Sequence, residues 1–148
     1  MATSTLIQSL IIGADADQSA RSKRETFLAG GTIAKGDFVS LDSSQTGADR
    51  ALYVKVIDTS GGAVAIGVPT VGVAMNAASA GGQVVVVVAG YAEGANVATG
   101  STANLALTLD TTTSGRATIA AAANVNIAAI ALENATSNAA DVWVMPSI

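Results

Sequence analysis

The chain is 148 residues long, carries a net charge of −4, and contains no His and no Cys. Past Arg50 its only charged side chains are Lys55, Asp58, Glu93, Asp110, Arg116, Glu133 and Asp141, scattered singly among Ala, Val, Thr and Gly. Proton transfer near neutral pH recruits His, or a carboxylate or Lys tuned by neighbours, so the composition speaks against an enzyme. It also speaks against a disulfide-stapled module and, with seven basic residues against eleven acidic ones, against nucleic-acid binding.

Half of the residues are hydrophobic, yet Phe27, Phe38, Tyr53, Tyr91 and Trp143 are the only aromatics. The apolar content is Ala and Val with some Ile and Leu. Stiff, β-branched side chains suit a pleated surface, which predicts a thin, tightly packed, mainly β core.

The chain opens with an apolar patch, Leu6, Ile7, Leu10, Ile11 and Ile12, ending at Gly13. No basic residue precedes it, as a secretory signal would require. Asp15, Asp17, Arg21, Lys23, Arg24 and Glu25 follow, acids first and bases later. That order fits a short helix capped by Asp15 or Asp17 with the bases at its negative end, or else a solvated linker. Residues 1–30 are therefore expected to form an extended or partly helical arm ahead of a β-rich body over 31–148.

Strands are expected at 37–41, 51–57, 71–75, 83–89, 104–109, 116–120, 127–132 and 141–145, separated by Gly, Ser, Thr, Asn and Asp clusters. Leu105, Leu107 and Leu109 alternate with Ala106 and Thr108, so the three Leu should share a face. Residues 84–88 are an unbroken Val run, which predicts cover on both faces by a second sheet or another subunit. Ala-rich 120–132 has helical composition, but Asn124 to Ile127 interrupt it, which favours a strand. The uncharged stretch 59–92 holds Pro69, Asn76, Gln83 and two Gly-Gly pairs, so no membrane span is expected.

Two segments echo one another. Ser40-Leu-Asp-Ser-Ser-Gln-Thr-Gly47 matches Thr108-Leu-Asp-Thr-Thr-Thr-Ser-Gly115, and Val73-Ala-Met-Asn-Ala-Ala-Ser79 matches Ile130-Ala-Leu-Glu-Asn-Ala-Thr136. The body is thus expected to be a compact sandwich or barrel-like pair of related β units, about 31–95 and 96–148.

Asp42 and Asp110 each start a run with oxygen-bearing side chains at the first, third and fifth positions and Gly at the sixth, as in a calcium loop. Position twelve is Tyr53 or Ala121 where a bidentate Glu belongs, so both runs are expected to be hairpin turns whose Asp accepts backbone N–H bonds. Asp58-Thr-Ser-Gly61 matches the active-site tripeptide of aspartic proteases, but it ends a strand before Gly-Gly and is expected to be a turn. No catalytic, cofactor or metal site is expected. Trp143, flanked by Val142 and Val144, is expected to be a core or interface anchor.

Gly31-Thr-Ile-Ala-Lys-Gly-Asp-Phe-Val-Ser-Leu41, Val71-Gly-Val-Ala-Met75 and Ala80-Gly-Gly-Gln-Val-Val-Val86 with Ala89-Gly90 together resemble the capsid decoration (cement) proteins of tailed bacteriophages. The resemblance covers about 60 residues and not the first 30. It implies a non-enzymatic structural protein of the virion exterior, commonly a homotrimer, with a dimer as the smaller possibility. Its partners would be the major capsid protein and its own copies, with no nucleic acid, membrane or cofactor. The expected capsid or intersubunit contacts are Leu6, Ile7, Leu10, Ile11, Ile12, Arg21, Lys23, Arg24 and Trp143, and a body lacking residues 1–28 is expected to fold. The alternative is an adhesive or carbohydrate-binding β module of a head fibre or tail.

Overall fold

A computed structural model describes residues 21–58, 70–121 and 126–145. Among the described residues nine strands form one sheet: β1 (Ser22–Ala29), β2 (Phe38–Leu41), β3 (Tyr53–Val56), β4 (Gly72–Ala74), β5 (Gln83–Asn96), β6 (Ala106–Leu109), β7 (Ala117–Ile119), β8 (Ala129–Ala131) and β9 (Ala139–Val144). The order β1-β3-β2-β4-β5-β9-β8-β6-β7 gains an extra β1–β5 pairing. That link closes β1, β3, β2, β4 and β5 into a hydrogen-bonded ring, a small barrel without free edges. The remaining strands form a second ring with the far half of β5, closed by a parallel bridge between Val97 and Ala117.

The rings share one wiring plan. In the first, β1 runs parallel to β3, with Ala29 opposite Val54; in the second, Val97 is parallel to Ala117. The other pairings are antiparallel in both. The agreement extends to single hydrogen bonds. Gly30 N–H donates to Val54 O and Ala98 N–H to Ala117 O, both at 2.8 Å. Gly36 N–H donates to Ala74 O at 2.7 Å and Asn104 N–H to Ala131 O at 2.8 Å. Even the positive backbone angles recur, at Gly36 and Asn104 and at Gly81 and Ser137. The two sequence echoes sit at equivalent places in two copies of one five-stranded unit.

The repeat also shows where the sequence reading needs correction. Residues 22–29 are neither helix nor linker: Ser22–Ala29 is a strand paired with β5 over seven positions and with β3 over two. Arg21, Lys23 and Arg24 therefore lie at the start of the first unit and not at a helix end. The far half of β5 is the counterpart of β1, so the second unit begins near Tyr91. Residues 6–12, with the rest of the first 20, lie outside the described residues.

Ala29, Ile33, Val39, Val54, Ala74, Val84 and Val86 fill the first ring. Val97, Leu107, Ala117, Ala131, Ala140 and Val142 stand at counterpart positions in the second ring's cluster. Small Ala and Val are what a five-stranded interior admits, so each pleat turns one small residue inward. The Val run has cover on both faces from this chain itself: Val84 and Val86 face the first core, while Val87 joins the second cluster. Leu107 and Leu109 share the buried face of β6, but Leu105 precedes β6 beside the left-handed Asn104 and is exposed.

The joint between units is specific. Phe38 N–H donates to Gly115 O at 2.9 Å, Gly115 N–H to Ile57 O at 3.0 Å, and Asn96 N–H to Gly36 O at 2.8 Å. Gly115 has φ +71°, and a Cβ there would press on Val56 and Asp37. Only Gly lets this turn insert between the ends of β2 and β3.

Candidate functional site

Both Asp-led loops are turns. Asp42 Oδ1 accepts from Ser44 N–H (3.1 Å) and Ser44 Oγ (2.7 Å), while Oδ2 accepts from Gln45 Nε2 (2.8 Å). Asp110 repeats this with Thr112 N–H and Oγ1, and its Oδ2 accepts from Arg116 Nε at 2.6 Å. Hydrogen bonds from Gln45 and Ser44, with Lys55 nearby, hold the buried Asp42 carboxyl down at about 2. At Asp110 burial pushes the other way, but the bonds from Thr112 and Arg116 outweigh it and the pKa is lowered. These carboxylates cap their own loops.

A carboxyl depressed in the fold contributes stability that is present above its unfolded pKa of about 3.9 and is lost as pH falls through its folded value. Unfolding midpoints in denaturant should therefore hold steady down to about pH 4 and drop towards pH 2. Asp42→Asn should be less stable at neutral pH by about 1–3 kcal/mol and show a flatter acid limb. An unchanged limb would remove Asp42 from this role.

Asp141 is engaged in the same manner. Its Oδ2 accepts from Tyr91 Oη at 2.6 Å and its Oδ1 from Gly94 N–H at 3.0 Å, which braces the register shift in β5 opposite β9. The bond to Asp141, with burial second, raises the Tyr91 phenol to about 12. Asp58 is exposed and accepts a 3.4 Å bond from Ser114 Oγ; Thr59 to Gly61 lie outside the described residues. Among the described residues no group of three or more Asp or Glu is placed to hold a metal ion, and no helix is long and apolar enough to cross a membrane.

What the fold does assemble is a shallow surface depression where the two rings cross. Gly90, at φ +90°, is flanked by Ser22 of β1 on one side and Val144 of β9 on the other. A Cβ there would overlap the Arg21 carbonyl oxygen, which accepts the Tyr91 N–H at 2.9 Å. This close crossing brings Trp143, distant in sequence, beside Arg21 and Lys23 in one shallow depression of about 480 Å³ with Ser22, Ala89 and Gly90. Arg24 is not in its lining; its Nε donates to Ser22 Oγ at 3.3 Å. The Lys23–Glu25 ion pair (3.1 Å) is well exposed, and such pairs add little stability.

Trp143 stands on the outer face of β9 with Tyr91 and Ile130 as its cross-strand neighbours, 40% exposed. Leu132 and Leu105 are exposed on the same unit, and Leu41 and Leu52 on the other. The sequence reading singled out Trp143 but missed these Leu residues. Alternation alone places an apolar residue on a face; the three-dimensional repeat is needed to reveal which faces stay open. An apolar, weakly basic surface of this kind has the chemistry to bind another protein face.

No protein-family model and no curated protein matches this sequence.

Proposed function

We propose that this chain is a capsid decoration protein: a structural, non-enzymatic component that binds the outside of a tailed-bacteriophage head and bridges its major capsid subunits. The observation that carries the reading is the convergence of Arg21, Lys23 and Trp143 on one open depression. The described Asp residues at 42, 110 and 141 are bound into turns and a bulge, while aromatic and basic groups meet in the depression. The resemblance of residues 31–90 to decoration proteins adds to this support.

Arg21 and Lys23 pair with acidic capsid side chains, Leu6 to Ile12 extend that contact, and Trp143 anchors the contact between copies. A ligand that binds the assembled shell and not its free subunits stabilises the shell by mass action. Several copies acting as one closed oligomer, here a homotrimer, multiply weak contacts into firm attachment.

Expanded heads lacking decoration should therefore lose their DNA at a higher temperature once saturated with the purified protein. Heads that melt unchanged at saturating protein would overturn the reading, and protein that binds glycan arrays in place of heads would move it to an adhesion module.

A further inference from the structure

Equivalent surfaces of the two units are buried unequally, and the inequality has a direction. On the first unit Phe38, Val73 and Val87 face outward in one cross-strand row, fully buried in a cluster shared with Leu109 of the second unit. Met75 packs against that cluster. Strand register places Ala106, Ile130 and Trp143 at the equivalent row of the second unit, and Leu132 at the equivalent of Met75. There Trp143 is 40% and Leu132 43% exposed.

The other end of the tandem shows the reverse. Leu109, 7% exposed, belongs to the cluster that packs over Phe38 and Ile57. Its counterpart Leu41 is 43% exposed. Leu52 is 51% exposed, at the close of the 3-10 turn Gly47–Ala51 by which the first unit's loop exceeds the second's. Each end thus carries, uncovered, one half of the joint that the chain builds within itself.

We propose that a second copy of this chain docks head to tail, with the first-unit end bearing Leu41 and Leu52 seated on the second-unit face bearing Ile130, Leu132 and Trp143. The occupant follows from the chain's own internal joint, where the same kind of unit end covers the same kind of face. The open row reads Ala-Ile-Trp where the closed one reads Phe-Val-Val. One bulky side chain has moved to the opposite end of the row, and all three positions stay apolar. Outward positions facing water would carry no such constraint. The contact joins two different surfaces, so copies either continue the row or close into a ring. This deepens the self-association in the reading above, yet it is tested without any capsid, so either idea can fail alone.

The test is sedimentation equilibrium of the full chain, with Trp143→Glu and Leu132→Gln altering the face and Leu41→Glu with Leu52→Glu altering the end. Unchanged far-UV circular dichroism identifies variants that fold, and Leu132→Gln serves if Trp143→Glu does not. Wild type should oligomerise at micromolar concentration, and each class alone should associate at least about tenfold more weakly, as loss of a central interface residue requires. An equimolar mixture of the two classes should form heterodimers, because each retains one intact half. A monomeric wild type, end variants that associate normally, or a mixture without heterodimers would each overturn the proposal.

Discussion

Removing residues 1–28 should abolish folding, contrary to the expectation from sequence alone, whereas removing residues 1–20 should leave a cooperatively folded protein. The longer deletion takes away β1 except Ala29. The edge of β5 then loses seven paired positions and the edge of β3 loses one of its two. It also opens the first ring, so Val84, Val86 and Val54, all fully buried, face water along a missing stave. Burying one Val side chain is worth roughly 1.5–3 kcal/mol, so exposing even part of three removes much of the 5–15 kcal/mol typical of a domain. Thermal melts followed by circular dichroism separate the outcomes. A sharp transition in the 1–28 deletion would show that the ring closes without β1.

Gly90→Ala should be among the most damaging single changes. Position 90 is held at φ +90°, where a side chain is strained, and its Cβ would strike the Arg21 carbonyl at the crossing of the two rings. Backbone strain and overpacking each cost about 1–3 kcal/mol, so a loss on the order of 3 kcal/mol or more is expected from their sum. The same substitution at the uncrowded Gly100, also at positive φ, carries the strain without the clash and should cost less. Denaturant midpoints of the two variants measure the difference directly. Equal losses would mean that the crossing tolerates a methyl group.

Most of the strands were legible because they obey local rules. Val39, Val54, Leu107 and Val142 each sit in a short apolar or alternating run between turn residues, and each lies inside a strand. The paired Asp loops were legible as turns for the same reason, since Asp side chains bond their own backbone two residues on. The first strand was missed because its identity is tertiary. Ser22–Ala29 is exposed or half-buried at every position but Ala29, so its charges resemble those of a linker, and what fixes it is backbone pairing on both edges. The Lys23–Glu25 pair at i, i+2 and the β-forming Thr26-Phe27 were the available signals.

The far half of β5 was hidden likewise, because Gly90 and Gly94 interrupt it as turn residues would. They serve a crossing and a bulge. The depression around Trp143 depends on both missed segments, which is why its residues could be named from sequence but not brought together.

The decisive observation is whether the full-length protein pellets with purified expanded phage heads. The account predicts saturable binding at a fixed number of copies per head, weakened by Trp143→Glu. Protein left wholly in the supernatant at every concentration would contradict it, whatever the state of its folding.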